Sequence, residues 1–70
     1  MDNRIQIHLN GERREVRAGA SLHELLEELS LSRDRVAVER NRVLVRRAEM
    51  EGCVLEANDE LEVVTLVGGG

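Results

Sequence analysis

Hydrophobic and polar positions alternate at the start of the chain. Ile5, Ile7 and Leu9 are separated by polar residues, the period of a half-buried β-strand. Asn10-Gly11 follows at once. This dipeptide accepts positive φ at both central positions of a type I′ turn, so it predicts a hairpin. The return strand runs from Glu12 to Arg17, with Val16 facing the core, and Ala18-Gly19-Ala20 breaks the alternation. The period then changes. From Ser21 to Leu31, Leu22, Leu25, Leu26 and Leu29 fall at i, i+3, i+4 and i+7, one apolar stripe of a helix. His23, Glu24, Glu27 and Glu28 take the opposite face. Ser21 is a natural N-cap, and Glu24 three residues on completes a capping box. Residues 30–35 form a loop.

Val36, Val38, Val43, Leu44 and Val45 predict two short strands or one bent strand. They flank a turn in which Asn41 can take a left-handed conformation. Residues 46–52 are irregular, with room for one helical turn and Met50 as a plug. Cys53-Val54-Leu55 is apolar again, and Asn58-Asp59 reads as a turn. The last strand runs from Leu61 to Val67. Its alternation puts Leu61 and Val63 on the core face and Glu62, Val64 and Leu66 on the other. A one-residue slip would bury Glu62, so the register is well specified. A hairpin, one amphipathic helix and a final strand inside the sheet make a two-layer α+β domain. The expected architecture is a β-grasp, ubiquitin-like fold: a mixed sheet of four to five strands with one main helix on one face.

Composition narrows the picture. Seventy residues hold one core. The expected division is a β-grasp domain over residues 1–67 and a flexible glycine tail over 68–70. No aromatic residue enlarges the core, and Cys53 is the only cysteine, so no disulfide staples it. A lone cysteine, no apolar run long enough for a bilayer and no secretory signal point to a cytoplasmic protein without membrane contact. Every basic residue is Arg, and the formal net charge is -4. A nucleic-acid binder would show a basic stripe and stacking aromatics, so this class is set aside. An acidic surface suits a basic protein partner instead.

Candidate chemistry is sparse. Ser21, His23 and Asp34 contain the letters of a triad, but Ser21 is committed to its cap, and helix neighbours two apart do not face each other. His8, His23 and Cys53 have no short-spaced ligand pair, so no metal site is expected. Cys53 reads as a small structural hydrophobe. Arg40, Arg42, Arg46 and Arg47 read as a solvated loop in preference to a docking patch. No glycine-rich loop joins a strand to a helix, so there is no phosphate cradle. What remains is the tail. Gly68-Gly69-Gly70 packs nothing and has maximal backbone freedom. A fraying end is one reading. The other is an arm that threads a narrow slot and presents a terminal carboxylate, where any Cβ would obstruct. Without lysine, the chain offers no side-chain amine on which copies of itself could be joined.

"IHLNGERREVRAGASLHELLEEL", "VAVERN" and "DELEVVTLVGGG" together resemble the ThiS family, the sulfur carriers of thiazole formation in thiamine synthesis. The resemblance covers essentially the whole chain, and Asn41 matches the family's middle-turn Asn. It departs at Leu44-Val45-Arg46-Arg47, where the family has a Pro, and at Met50, where it has a Trp. The resemblance implies a carrier that is not an enzyme and binds no cofactor. An adenylating (ThiF/E1-like) partner uses ATP and Mg²⁺ to convert the Gly70 carboxylate to an acyl-adenylate. A persulfide protein supplies sulfur to leave a thiocarboxylate, and a ThiG-like thiazole synthase takes that sulfur. Gly70 and Gly69 are then the reacting end, and Glu62, Val64, Leu66, Val67 and Gly68 the expected partner-binding residues. The alternatives are a carrier like the small subunit of molybdopterin synthase and a ubiquitin-like docking module with an inert tail.

Overall fold

The computed structural model describes residues 3–66. The strands are β1 (Arg4–Leu9), β2 (Glu12–Arg17), β3 (Val36–Arg40), β4 (Val43–Val45) and β5 (Glu60–Thr65), with one helix, α1 (Leu22–Glu28), between β2 and β3. They form one sheet in the order β2-β1-β5-β3-β4. Only β1 and β5 run parallel; the other pairs are antiparallel. The two-layer α+β architecture is the expected one, with five strands, and the Val36–Val45 stretch resolves into two strands.

Leu22, Leu25 and Leu26 of α1 are buried with Ile7, Val16, Val36, Val38, Met50, Leu55 and Leu61, and this single cluster is the core. The capping box is formed. Ser21 Oγ accepts the Glu24 N–H, and a Glu24 carboxylate oxygen accepts the Ser21 N–H, each at 3.1 Å. The Ser21 N–H, followed by the Arg17 guanidinium at 2.8 Å, holds the Glu24 carboxyl below its ordinary range.

The helix is shorter than its apolar stripe. It stops at Glu28, with Leu29 as C-cap and Ser30 at φ 59°. The Ser30 N–H donates to the Glu27 carbonyl and the Leu31 N–H to the Leu26 carbonyl, the paired bonds of a Schellman ending. That reversal returns Leu31 to the core edge, so Leu31 belongs to the apolar pattern but not to the helix. Residues 30–35, expected as a loop, hold a 3₁₀ turn at Arg33–Arg35 capped by Ser32. A second 3₁₀ turn at Arg47–Glu49 drops Met50 into the core as a plug, 2% exposed.

Both hairpins close through two-residue turns with positive φ throughout. Asn10 and Gly11 stand at 51° and 83°, and Asn41 and Arg42 at 51° and 71°. Arg42 thus occupies a conformation that favours glycine.

Candidate functional site

β5 is the central strand, and both hairpin turns grip it. On one flank the β1 ladder is short, with His8 opposite Glu60 and Leu9 opposite Leu61. Asn10 extends it from within the turn. Its N–H donates to the Leu61 carbonyl at 2.8 Å. Its side-chain Oδ1 accepts the Val63 N–H at 2.8 Å, and its Nδ2 donates to the Val63 carbonyl at 3.2 Å. The amide group thus stands in for a missing strand residue. On the other flank the Asn41 N–H donates to the Glu60 carbonyl at 2.7 Å, and Asn41 Oδ1 accepts the Glu60 N–H at 2.9 Å.

Asp59 anchors the entry to β5. It is 4% exposed. Its Oδ2 accepts the Glu56 N–H at 2.8 Å and Arg40 Nε at 2.9 Å, and its Oδ1 accepts Asn41 Nδ2 at 3.1 Å. Burial disfavours its charge, but the bonds from Glu56, Asn41 and Arg40 outweigh that and hold its carboxyl below the ordinary carboxylate range. Arg40 also donates to the Val54 carbonyl and lies 3.5 Å from Cys53 Sγ. This corrects the reading of four solvated arginines. Arg40 is turned inward onto Asp59, Arg47 pairs with Asp34 at 3.2 Å, and Arg42 and Arg46 remain outside.

So held, β5 shows alternate residues to opposite sides, as its sequence predicts. Leu61 is buried and Val63 packs against the core. Val64 is 57% exposed and Leu66 55%, and Glu62 is exposed on the same strand. Ala37 stands opposite Val64, and Glu39 opposite Glu62. Leu44, opposite Glu39 on the next strand, adds a third exposed apolar residue. The face away from α1 therefore carries Val64, Leu66 and Leu44 beside Glu39, Glu60 and Glu62. A shallow recess of about 320 Å³, lined by His8, Gly11, Glu60, Leu61 and Glu62, adjoins it. Glu39 and Glu62 are like charges directly opposite one another, which destabilises an isolated sheet. A basic partner group would relieve that repulsion.

The strand ends at Thr65, opposite Val36, which is shorter than the expected Leu61–Val67. β3 has run out there, and one further bond, from the Leu66 N–H to the Arg35 carbonyl at 2.7 Å, closes the pairing. Val67, Gly68, Gly69 and Gly70 lie outside the described residues. Of the expected site residues, the structure brings together Glu62, Val64 and Leu66. Glu39, Leu44, Asn10, Asn41 and Asp59 were not singled out as site residues. The three residues with the letters of a triad have structural partners: Ser21 is in its cap, His23 Nε2 lies 3.5 Å from Glu27, and Asp34 pairs with Arg47. Among the described residues no helix is long and apolar enough to cross a membrane.

The sequence profile of the ThiS family matches residues 7–70. A thiazole synthase of Magnetococcus marinus is 44% identical over 66 residues, covering 94% of this chain and 20% of that protein. The ycf40 protein of Pyropia yezoensis is 41% identical over 66 residues, covering 94% of this chain and 93% of that protein. The chain thus spans about a fifth of the thiazole synthase but nearly all of the ycf40 protein. Among solved structures, the crystal structure of a thiamine biosynthesis protein (ThiS) from Geobacter metallireducens superposes with a TM-score of 0.79 at 25% identity, covering 94% of this chain and 100% of that one.

Proposed function

The chain belongs to the ThiS family, and on that premise we propose that it is a sulfur carrier of thiamine biosynthesis whose Gly70 carboxylate is the reacting group. A carboxylate is a poor electrophile until one oxygen becomes part of a good leaving group. An adenylating enzyme of the ThiF/E1 type provides this with ATP and Mg²⁺, releasing pyrophosphate and leaving an acyl-adenylate on Gly70. A persulfide's terminal sulfur then displaces AMP. The product is an acyl disulfide with the donor; a second thiol attacks the donor-side sulfur, takes it into a disulfide, and releases the thiocarboxylate that a thiazole synthase consumes. The chain contributes no catalytic side chain and no bound cofactor; it is a co-substrate.

The observation that carries this reading is the character of β5. The strand that leads toward Val67-Gly68-Gly69-Gly70 is the central one and is clamped on both flanks, yet it shows Val64 and the neighbouring Leu66 to solvent. Large apolar residues clustered beside a reactive segment suit a partner surface. Glu62, Glu60 and Glu39 form its charged rim and steer a basic partner. Gly68 and Gly69 are the part that passes through a narrow slot, since a Cβ there would collide with its walls. A thiazole synthase among the relatives favours the thiazole branch over molybdopterin synthesis.

The test is intact mass after incubation with ATP, Mg²⁺, a sulfur donor and an adenylating enzyme. Replacement of one oxygen by sulfur at Gly70 is expected. A chain extended by one residue beyond Gly70, folded but untrimmed, should stay unmodified. Normal loading of that extended chain would overturn the assignment.

A further inference from the structure

The sheet has two free edges of opposite character. The β2 edge, Glu12–Arg17, is charged at all but one position, the usual defence of an exposed edge. The β4 edge reads Val43-Leu44-Val45, with Val43 66% and Leu44 62% exposed. Arg40 and Val43 flank the two-residue turn, so they form a hydrogen-bonded pair. By alternation, the N–H and C=O of Leu44 point away from β3 to the open side. Beneath the edge lies a groove of about 330 Å³ lined by Arg40, Val43, Leu44, Val45, Glu49, Gly52 and Cys53.

We propose that the β4 edge binds an extended, acidic-flanked apolar segment of a partner protein by strand addition. This goes beyond the sulfur-carrier reading and does not depend on it. An added antiparallel strand would exchange both backbone bonds with Leu44. Its neighbouring residues would point beside Val43 and Val45 into the groove, and the central one would lie beside Leu44 on the other face. Three consecutive apolar residues satisfy that geometry. The flanks are fixed by charge. Arg42 and Arg46 bracket the edge and are exposed. Neither has an ion pair among the described residues. A second copy of this chain fits poorly. A two-fold axis through Leu44 would set Arg42 against the other copy's Arg46.

The probe is a blocked peptide of three valines between two pairs of glutamates, titrated into the ¹⁵N-labelled full chain. The expected result is shifts centred on residues 43–45, slowed exchange of the Leu44 amide, and weakening with salt. The double variant R42E/R46E should bind about tenfold more weakly or worse. The same peptide with lysines in place of glutamates should bind the parent chain more weakly. Leu44→Pro, which removes the outward N–H without touching a ladder bond to β3, should abolish the backbone signature, and Leu44→Ala, which shortens the side chain alone, should keep it. Shifts centred elsewhere, no shifts at millimolar peptide, or equal binding of the lysine peptide would overturn the proposal. So would concentration-dependent dimerisation through residues 43–45, which would make a second copy the occupant.

Discussion

Asn10 has two separable roles, and replacing it with glycine separates them. Its backbone sits at φ 51° in the first hairpin turn. Its side chain clamps Val63 by bonds of 2.8 and 3.2 Å. Glycine adopts positive φ without strain, so Asn10→Gly keeps the turn and removes only the clamp. A neutral hydrogen bond contributes about 0.5–1.5 kcal/mol net. This pair is exposed, which places it in the lower part of that range, so the loss should be about 1–2 kcal/mol. For a domain of this length each kcal/mol corresponds to roughly 4–8 °C in Tm. Asn10→Asp keeps an acceptor for the Val63 N–H but turns a second oxygen against the Val63 carbonyl, so it should be no more stable than the glycine variant. The assay pairs urea unfolding with native-state hydrogen exchange. The Val63 amide should lose protection beyond the global change, because its acceptor on the β1 side is that side chain. A glycine variant as stable as the parent, with the Val63 amide still slow, would refute the clamp.

Other expectations address the docking face, the buried carboxylate and the cysteine. Val64 is 57% exposed, so Val64→Asp should cost less than about 1 kcal/mol while weakening binding to both the adenylating enzyme and the thiazole synthase; a large drop in Tm would show that Val64 is core. Asp59→Ala leaves Arg40, Asn41 Nδ2 and the Glu56 N–H without their acceptor, and calorimetry should show a loss of about 3 kcal/mol. Because the folded-state pKa of Asp59 is depressed, its stabilisation is fully present above the unfolded value of about 3.9 and is lost as pH falls through the lower folded value. Acid unfolding followed by circular dichroism should therefore be less steep in Asp59→Asn than in the parent. Cys53→Ala should keep sulfur loading and lose on the order of 1 kcal/mol, since the half-buried thiol contributes only small volume and a 3.5 Å contact with Arg40; absent loading in a folded variant would make Cys53 part of the chemistry.

The elements written by periodicity were legible in the sequence. The first hairpin, the helix start at Ser21 and the facing of Leu61 and Val64 each follow from local pattern. The helix end was not, because the apolar run Leu29-Ser30-Leu31 reads as more helix, whereas Leu31 lies half a turn off the Leu22–Leu29 stripe and only the Schellman reversal brings it to the core. Asn10 and Asn41 were legible as turn residues but not as clamps on β5. Their side-chain partners are distant in sequence, and a turn signal carries no information about what lies beside it. Asp59 was hidden for the same reason. Asp after Asn reads as a solvated turn, and its burial depends on Arg40, nineteen positions earlier. The open face was half legible: alternation gave Val64 and Leu66, whereas Glu39 and Leu44 join them only through strand order.

The position of β5 also sets a timetable for synthesis. β1 and β3 share no ladder; each meets the other only through β5, and the Asn10–Val63 contact spans 53 positions. While the ribosome is still making residues 60–65, the β1–β2 and β3–β4 hairpins can exist, but the sheet has a gap where its middle belongs. Closing so long a loop is slow relative to forming either hairpin. The nascent chain must therefore wait, with its two hairpins not yet joined and the places of Leu61 and Val63 unfilled, until Glu60–Thr65 has cleared the exit tunnel. The strand that presents Val64 to partners is thus the last to take its place, and no partner can find that surface on a chain still being translated through it.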